Sequence, residues 1–158
     1  MFVNDGEFLS PRRLNLRLYC EPKIPAKDTP DIWPALPLVV GGFMDKASSM
    51  NNIIAALGQS NHVHQVELEV AGWQLGEVLA AMQVTFPEMT RMQLSSYVKT
   101  PPVIPDLFLG GSAPRLQHFE LFGVPFPGLP KLLLSATHLV TLWLFKIPHS
   151  GYISPYKA

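Results

Sequence analysis

Only one cysteine, Cys20, occurs in the chain, which excludes an intrachain disulfide and a cysteine-built metal site. Excess charge of either sign is also missing, because twelve basic residues stand against twelve acidic ones. That balance gives no electrostatic pull toward nucleic acid or an anionic membrane surface. No Asn-x-Ser/Thr acceptor is present, and Met1-Phe2-Val3-Asn4-Asp5-Gly6-Glu7 is not a secretory signal. Apolar runs such as Leu36-Pro37-Leu38-Val39-Val40 are far shorter than the ~20 residues a membrane-crossing helix needs. These absences point to an intracellular chain, in the cytoplasm or nucleus, whose partners are neither nucleic acid nor membrane.

Chemistry-bearing motifs are scarce as well. Gly-x-Ser-x-Gly and His-Glu-x-x-His do not occur. Gly110-Gly111-Ser112 is too short for a phosphate loop and lacks the following lysine. His62 and His64 have the two-residue spacing that would put a metal pair on one strand face. His118, His138 and His149 fall on other turns, so no third ligand is in reach. The chain is therefore expected to be no enzyme and to need no cofactor or metal.

What is abundant is proline and apolar surface. Sixteen prolines, about double ordinary usage, recur beside apolar segments and read as turn punctuation. The apolar residues are ordered by a repeat. Phe119-Glu120-Leu121-Phe122-Gly123-Val124-Pro125-Phe126-Pro127-Gly128 aligns without a gap on Leu142-Trp143-Leu144-Phe145-Lys146-Ile147-Pro148-His149-Ser150-Gly151, an offset of 23 residues. That offset lies within the period of about 20–29 residues of leucine-rich repeats. Their strand form, L-x-x-L-x-L, fits Val63-x-x-Val66-x-Leu68, Met89-x-x-Met92-x-Leu94, Leu116-x-x-Phe119-x-Leu121 and Leu139-x-x-Leu142-x-Leu144. Central positions 66, 92, 119 and 142 are spaced by 26, 27 and 23. Upstream, Leu14–Leu18 and Leu36–Val40 supply two further strands, with Leu18 aligned on Leu38 and Leu38 on Leu68.

Between strands the chain must return. Ser49–Gly58 reads as a helix with Met50, Ile53, Ile54 and Leu57 on one face and Gly58 as its stop. Trp73–Met82 repeats the pattern with Leu75, Val78, Leu79 and Met82. Ile104–Gly111 and Leu129–Ser135 predict about two helical turns each, opened by an early proline. The asparagine that many leucine-rich repeats carry after the strand is replaced by Ala71, Tyr97, Val124 and Ile147. The turns must then satisfy their backbone groups through neighbouring backbone or water. The fold class is accordingly α/β: a leucine-rich-repeat solenoid of about 5–6 degenerate repeats, with a curved parallel sheet on the concave side and short helices and loops on the convex side. Residues 1–10 form a tail and 11–158 the repeat domain, which is expected to be truncated at its C-terminus.

Alternation places the residues between the core leucines on the concave face. They are Gln65, Glu67 and Glu69, then Arg91, Gln93 and Ser95, then His118, Glu120 and Phe122, and finally Thr141, Trp143 and Phe145, with Arg17 and Tyr19 extending the row. Phe122, Trp143 and Phe145 read as a partner-binding anchor or as the contact for a further repeat or the C-terminal tail. Glu67, Glu69 and Glu120 with Arg91 suit a basic peptide or a solvated charged strip.

Several segments carry a family resemblance: Pro11-Arg12-Arg13-Leu14-Asn15-Leu16-Arg17-Leu18, Asp31-Ile32-Trp33-Pro34-Ala35-Leu36-Pro37-Leu38, Pro105–Leu116 and Val124–Val140. In these the chain resembles fungal F-box proteins with degenerate leucine-rich repeats, from about Pro11 to Pro155. The resemblance implies a substrate receptor. In that family an N-terminal F-box docks on the adaptor of a cullin-type ubiquitin ligase, and the repeats hold the protein to be ubiquitinated. The repeat region is what this sequence matches, so the adaptor is an expected partner only where the full gene product carries an F-box. Alternatives are a truncated structural paralogue without a ligase role and an enzyme with an unrecognised site.

Overall fold

The structure, a computed structural model, describes residues 18–20, 37–44, 47–126 and 131–148. Alternation shapes its strands. In Val63–Val70 the side chains of Val66, Leu68 and Val70 are buried while Glu67 and Glu69 are exposed, the period of two that a one-face-buried strand requires. Six strands form one sheet: β1 (Leu18–Cys20), β2 (Leu38–Met44), β3 (Val63–Val70), β4 (Arg91–Ser96), β5 (His118–Phe122) and β6 (Thr141–Phe145). Each pairs in parallel with the next strand of the chain.

The register follows the spacing of the apolar residues. Val66, Met92, Phe119 and Leu142 stand side by side, and so do Leu68, Leu94, Leu121 and Leu144. A second ladder ties the strand entries. Thr90 N–H donates to His64 O, Gln117 N–H to Thr90 O and Val140 N–H to Gln117 O, each at 2.8 Å. The same position of each successive turn is thereby bonded to its predecessor.

One expected pairing is corrected. Leu18 does pair with Leu38, but Leu38 pairs with Val63, and Gly42 is the partner of Leu68. The register shifts between Leu38 and Val39, and β2 runs on through Gly41 and Gly42, where no apolar side chain marks the rung.

The return segments cover one face of the sheet. Helix α1 (Ala47–Leu57) buries Met50, Ile53, Ala56 and Leu57. It ends where the Gly58 N–H donates to Ile54 O at 3.0 Å. Helix α2 (Gln74–Ala81) buries Leu75, Val78 and Leu79, and Met82 after it is fully enclosed. These join the inward strand residues in one core, together with Phe86, Phe108 and Phe119. Burial of each such side chain contributes about 1.5–3 kcal/mol.

The third return differs from the two helical turns expected over Ile104–Gly111. Only Phe108–Gly111 is helical, as a 3-10 turn, and Leu109 and Gly110 there take φ of 54° and 68°. Leu109 N–H donates to Met82 O at 2.7 Å, so the left-handed residue is bonded to the end of the preceding return. A Cβ on Gly110 would meet Thr85 Cγ2 at 2.6 Å, which leaves glycine as the fitting residue. The fourth return is α3 (Lys131–Ser135). Its expected opening at Leu129-Pro130 lies outside the described residues, as do the tail 1–10 and the C-terminal residues 149–158.

Without the asparagine, turn backbone groups bond to neighbouring chain. Ala71 N–H reaches Met44 O at 3.3 Å, and Gly123 N–H reaches Phe145 O at 3.0 Å. Val124, at one of the asparagine positions, is instead completely buried in the core. No helix among the described residues is long and apolar enough to cross a membrane.

Candidate protein-binding face

All-parallel sheets ordinarily have both faces covered. Here the face opposite the helices carries side chains that are exposed or half-exposed throughout β3 to β6. The strand register sorts them into three rows. The first is Gln65, Arg91, His118 and Thr141; the second Glu67, Gln93, Glu120 and Trp143; the third Glu69, Ser95, Phe122 and Phe145. All nine residues singled out from alternation, Glu67, Glu69, Arg91, Gln93, His118, Glu120, Phe122, Trp143 and Phe145, therefore share one face. Tyr19 is paired to Val39 through its backbone, and Arg17 lies outside the described residues.

The rows interlock diagonally. Arg91 sits between two carboxylates: its Nη2 donates to Glu120 Oε1 at 3.1 Å, and its Nε lies 3.2 Å from Glu67 Oε1. The Nε–H is not aligned on that oxygen and makes no hydrogen bond, so the Glu67 contact is the looser of the two. His118 Nδ1 and Thr141 Oγ1 are 3.1 Å apart and share a hydrogen bond along the first row. In the loops that lead into the strands, His138 Nδ1 donates to Pro114 O at 2.9 Å, and Arg115 pairs with Glu88.

At the β6 end the face turns aromatic. Phe122 packs on Phe145 with ring centroids 5.4 Å apart and on Tyr97 at 5.0 Å. Lys146 Nζ lies 5.2 Å from the Phe122 centroid and 5.8 Å from that of Phe145, within cation–π range. Trp143, directly opposite Glu120, is 67% exposed. Gln93, Ser95, Glu120, Phe122, Trp143 and Phe145 enclose a depression of about 310 Å³.

Three members of this surface were not legible from alternation: Phe43, Tyr97 and Lys146. Phe43 is exposed and opens the third row, paired with Glu69; the correct β2 register would have placed it. Tyr97 follows β4 and comes back over Phe122. Lys146 stands where the aligned repeat has Gly123, and like Gly123 it takes a positive φ, 50°.

Some expectations are revised at the edges. The inward rung of β6 keeps its register but not its burial, with Leu142 at 43% and Leu144 at 39% exposure. A C-terminal tail over the aromatics would involve residues outside the described ones. His62 precedes β3 rather than sharing it with His64. Among the described residues no three His, Cys, Asp or Glu side chains converge to hold a metal ion. No family model, curated protein or solved structure matches this chain.

Proposed function

We propose that the chain is a protein-binding repeat module: a leucine-rich-repeat solenoid whose open sheet face recognises a partner through side chains set between the core leucines. The observation that carries this reading is the depression walled by Phe122, Trp143 and Phe145 on a sheet face whose other outward strand residues from β3 to β6 are polar and exposed or half-exposed. Large aromatics are costly to leave wet and dominate interface energetics where they do occur outside. The rows of β3 to β5 stand on buried rungs, and backbone pairing holds β6 in register beside them, so their spacing is fixed before a partner arrives. Binding to such a surface forfeits little conformational entropy.

The repeat period and the segments that resemble fungal F-box proteins support a more specific role, the substrate-recognition region of an F-box-type ubiquitin-ligase receptor acting in the cytoplasm or nucleus. Contact with the ligase adaptor would come from an F-box elsewhere in the gene product.

A photocrosslinking amino acid at Gln93 tests the surface, with Glu77 on the exposed side of α2 as the control position. The expected result is a discrete adduct from position 93, absent from position 77 and lost when Trp143 and Phe145 are replaced by alanine. Equal labelling from both positions, or an adduct indifferent to the alanines, would remove the reading. Co-purification of the adaptor with the full gene product tests the ligase role separately.

A further inference from the structure

We propose that the depression between β4, β5 and β6 takes a lysine or arginine side chain of the partner, its charge held by the Glu120 carboxylate and its stem by Phe122, Trp143 and Phe145. This rests on the reading of the open sheet face as the partner surface and names the chemistry that surface selects. At about 310 Å³ the depression is at the small end of ligand sites, a size for one anchoring side chain.

Three observations give that side chain its charge. The first is the carboxylate count: among the described residues, Glu67, Glu69 and Glu120 share the strand face with one guanidinium, Arg91, and Lys146 offsets a further charge at the aromatic end. The second is the state of Glu120. Arg91 engages its Oε1, and among the described residues nothing donates to Oε2. An ionised carboxylate accepts up to about four hydrogen bonds, so the group is positioned by one cation with capacity for another. An apolar anchor would cover it without replacing the water it loses, and an acidic anchor would be set directly against the Glu120 carboxylate that lines the depression.

The third observation is Lys146. Its ammonium already lies over the Phe122 and Phe145 rings that wall the depression, so the chain itself uses these rings as a platform for a cation. Lys146 does this from a left-handed backbone, φ 50°, a conformation that non-glycine residues adopt at a cost. The incoming cation and Lys146 then share the same two rings and carry like charge, and removal of the Lys146 charge favours the partner's.

The test uses ¹⁵N-labelled full chain titrated with four short peptides built of Gly-Ser-X triplets, X being lysine, arginine, norleucine or glutamate. Norleucine keeps the lysine stem and lacks the charge. The Trp143 indole and Glu120 amide signals are followed. Lysine and arginine peptides are expected to shift them and to bind about tenfold tighter than the norleucine peptide, a difference of about 1.4 kcal/mol. Glu120→Gln should erase that preference, and Trp143→Ala, at an exposed position, should weaken both cationic peptides without unfolding the chain. Lys146→Met should tighten them about threefold.

A norleucine or glutamate peptide that binds as well as lysine at Trp143 overturns the cation assignment while leaving the partner surface standing. A lysine preference that survives Glu120→Gln reduces it to diffuse attraction and overturns it too. Shifts that depend on protein concentration alone would place a second copy of the chain there instead. If no peptide moves these signals the cation assignment fails, and the crosslinks from position 93 then decide the surface reading independently.

Discussion

Gly123 approaches Ser96 so closely that a Cβ on it would stand 2.1 Å from the Ser96 carbonyl oxygen. Its own N–H meanwhile donates to Phe145 O at 3.0 Å, so three neighbouring turns meet at one glycine. Its φ of 67° adds the left-handed preference to the steric one. Gly123→Ala is expected to lower unfolding stability by upward of about 3 kcal/mol. Gly72 separates the two causes, because it has φ 62° and nothing within 4 Å of its would-be Cβ. Gly72→Ala should cost only the conformational term, about 1–2 kcal/mol. Urea unfolding of both variants measures the difference; equal losses would mean that the Ser96 contact relaxes freely.

The second prediction concerns the leucine rung. Leu68, Leu94, Leu121 and Leu144 stand in one register, yet Leu121 is 2% exposed and Leu144 39%. Position in the pattern is the same, while the cavity left by truncation is not. Leu94→Ala or Leu121→Ala should cost about 2–5 kcal/mol and Leu144→Ala less than about 1.5 kcal/mol. Comparable losses at Leu121 and Leu144 in equilibrium denaturation would show that β6 is as enclosed in solution as β5.

The aromatic side of the same strands yields a third. Phe119 and Glu120 are adjacent, and so are Leu142 and Trp143, but Phe119 points into the core and Trp143 out of it. Phe119→Ala is expected to cost about 3–5 kcal/mol, whereas Trp143→Ala and Phe145→Ala should stay within about 1 kcal/mol. Thermal and urea unfolding check this directly. A large loss from Trp143→Ala would make that residue part of the framework and disqualify it as a probe of binding.

These contrasts mark how far the sequence could be read. The rungs from β3 to β6 were legible because each L-x-x-L-x-L carries its own apolar signal, and parallel pairing copies that spacing into register. Helices α1 and α2 were legible through Met50, Ile53 and Leu57 and through Leu75, Val78 and Leu79, each set repeating at the helical period. The register of β2 was not, since Gly42 holds the place where a leucine would have announced the rung. Nor was the third return, where the Leu109–Met82 hydrogen bond and the tight fit of Gly110 on Thr85 override the helical pattern. The outward face followed from alternation alone, and with it all nine candidate residues. Tyr97 and Lys146 escaped because they join that face from beyond the strand ends, although Lys146 in place of Gly123 was visible in the ten-residue alignment at the 23-residue offset as an exception.

Arg91 supplies the last prediction. It faces two carboxylates at nearly equal distance, 3.2 Å to Glu67 and 3.1 Å to Glu120, and distance alone would weight them equally. Alignment and exposure do not. The Glu120 contact is a formed hydrogen bond to a side chain 21% exposed, while Glu67 is 46% exposed and lacks that geometry. Water screens the second pair more strongly, and both side chains lose freedom to hold it. Double-mutant cycles built from Arg91→Met with Glu120→Gln, and from Arg91→Met with Glu67→Gln, isolate each coupling. The expected values are about 0.5–1 kcal/mol for Glu120 and below about 0.5 kcal/mol for Glu67, both shrinking as salt is raised. A Glu67 coupling equal to or larger than that of Glu120 would reverse the ranking and shift the site's fixed carboxylate from β5 to β3, away from Trp143.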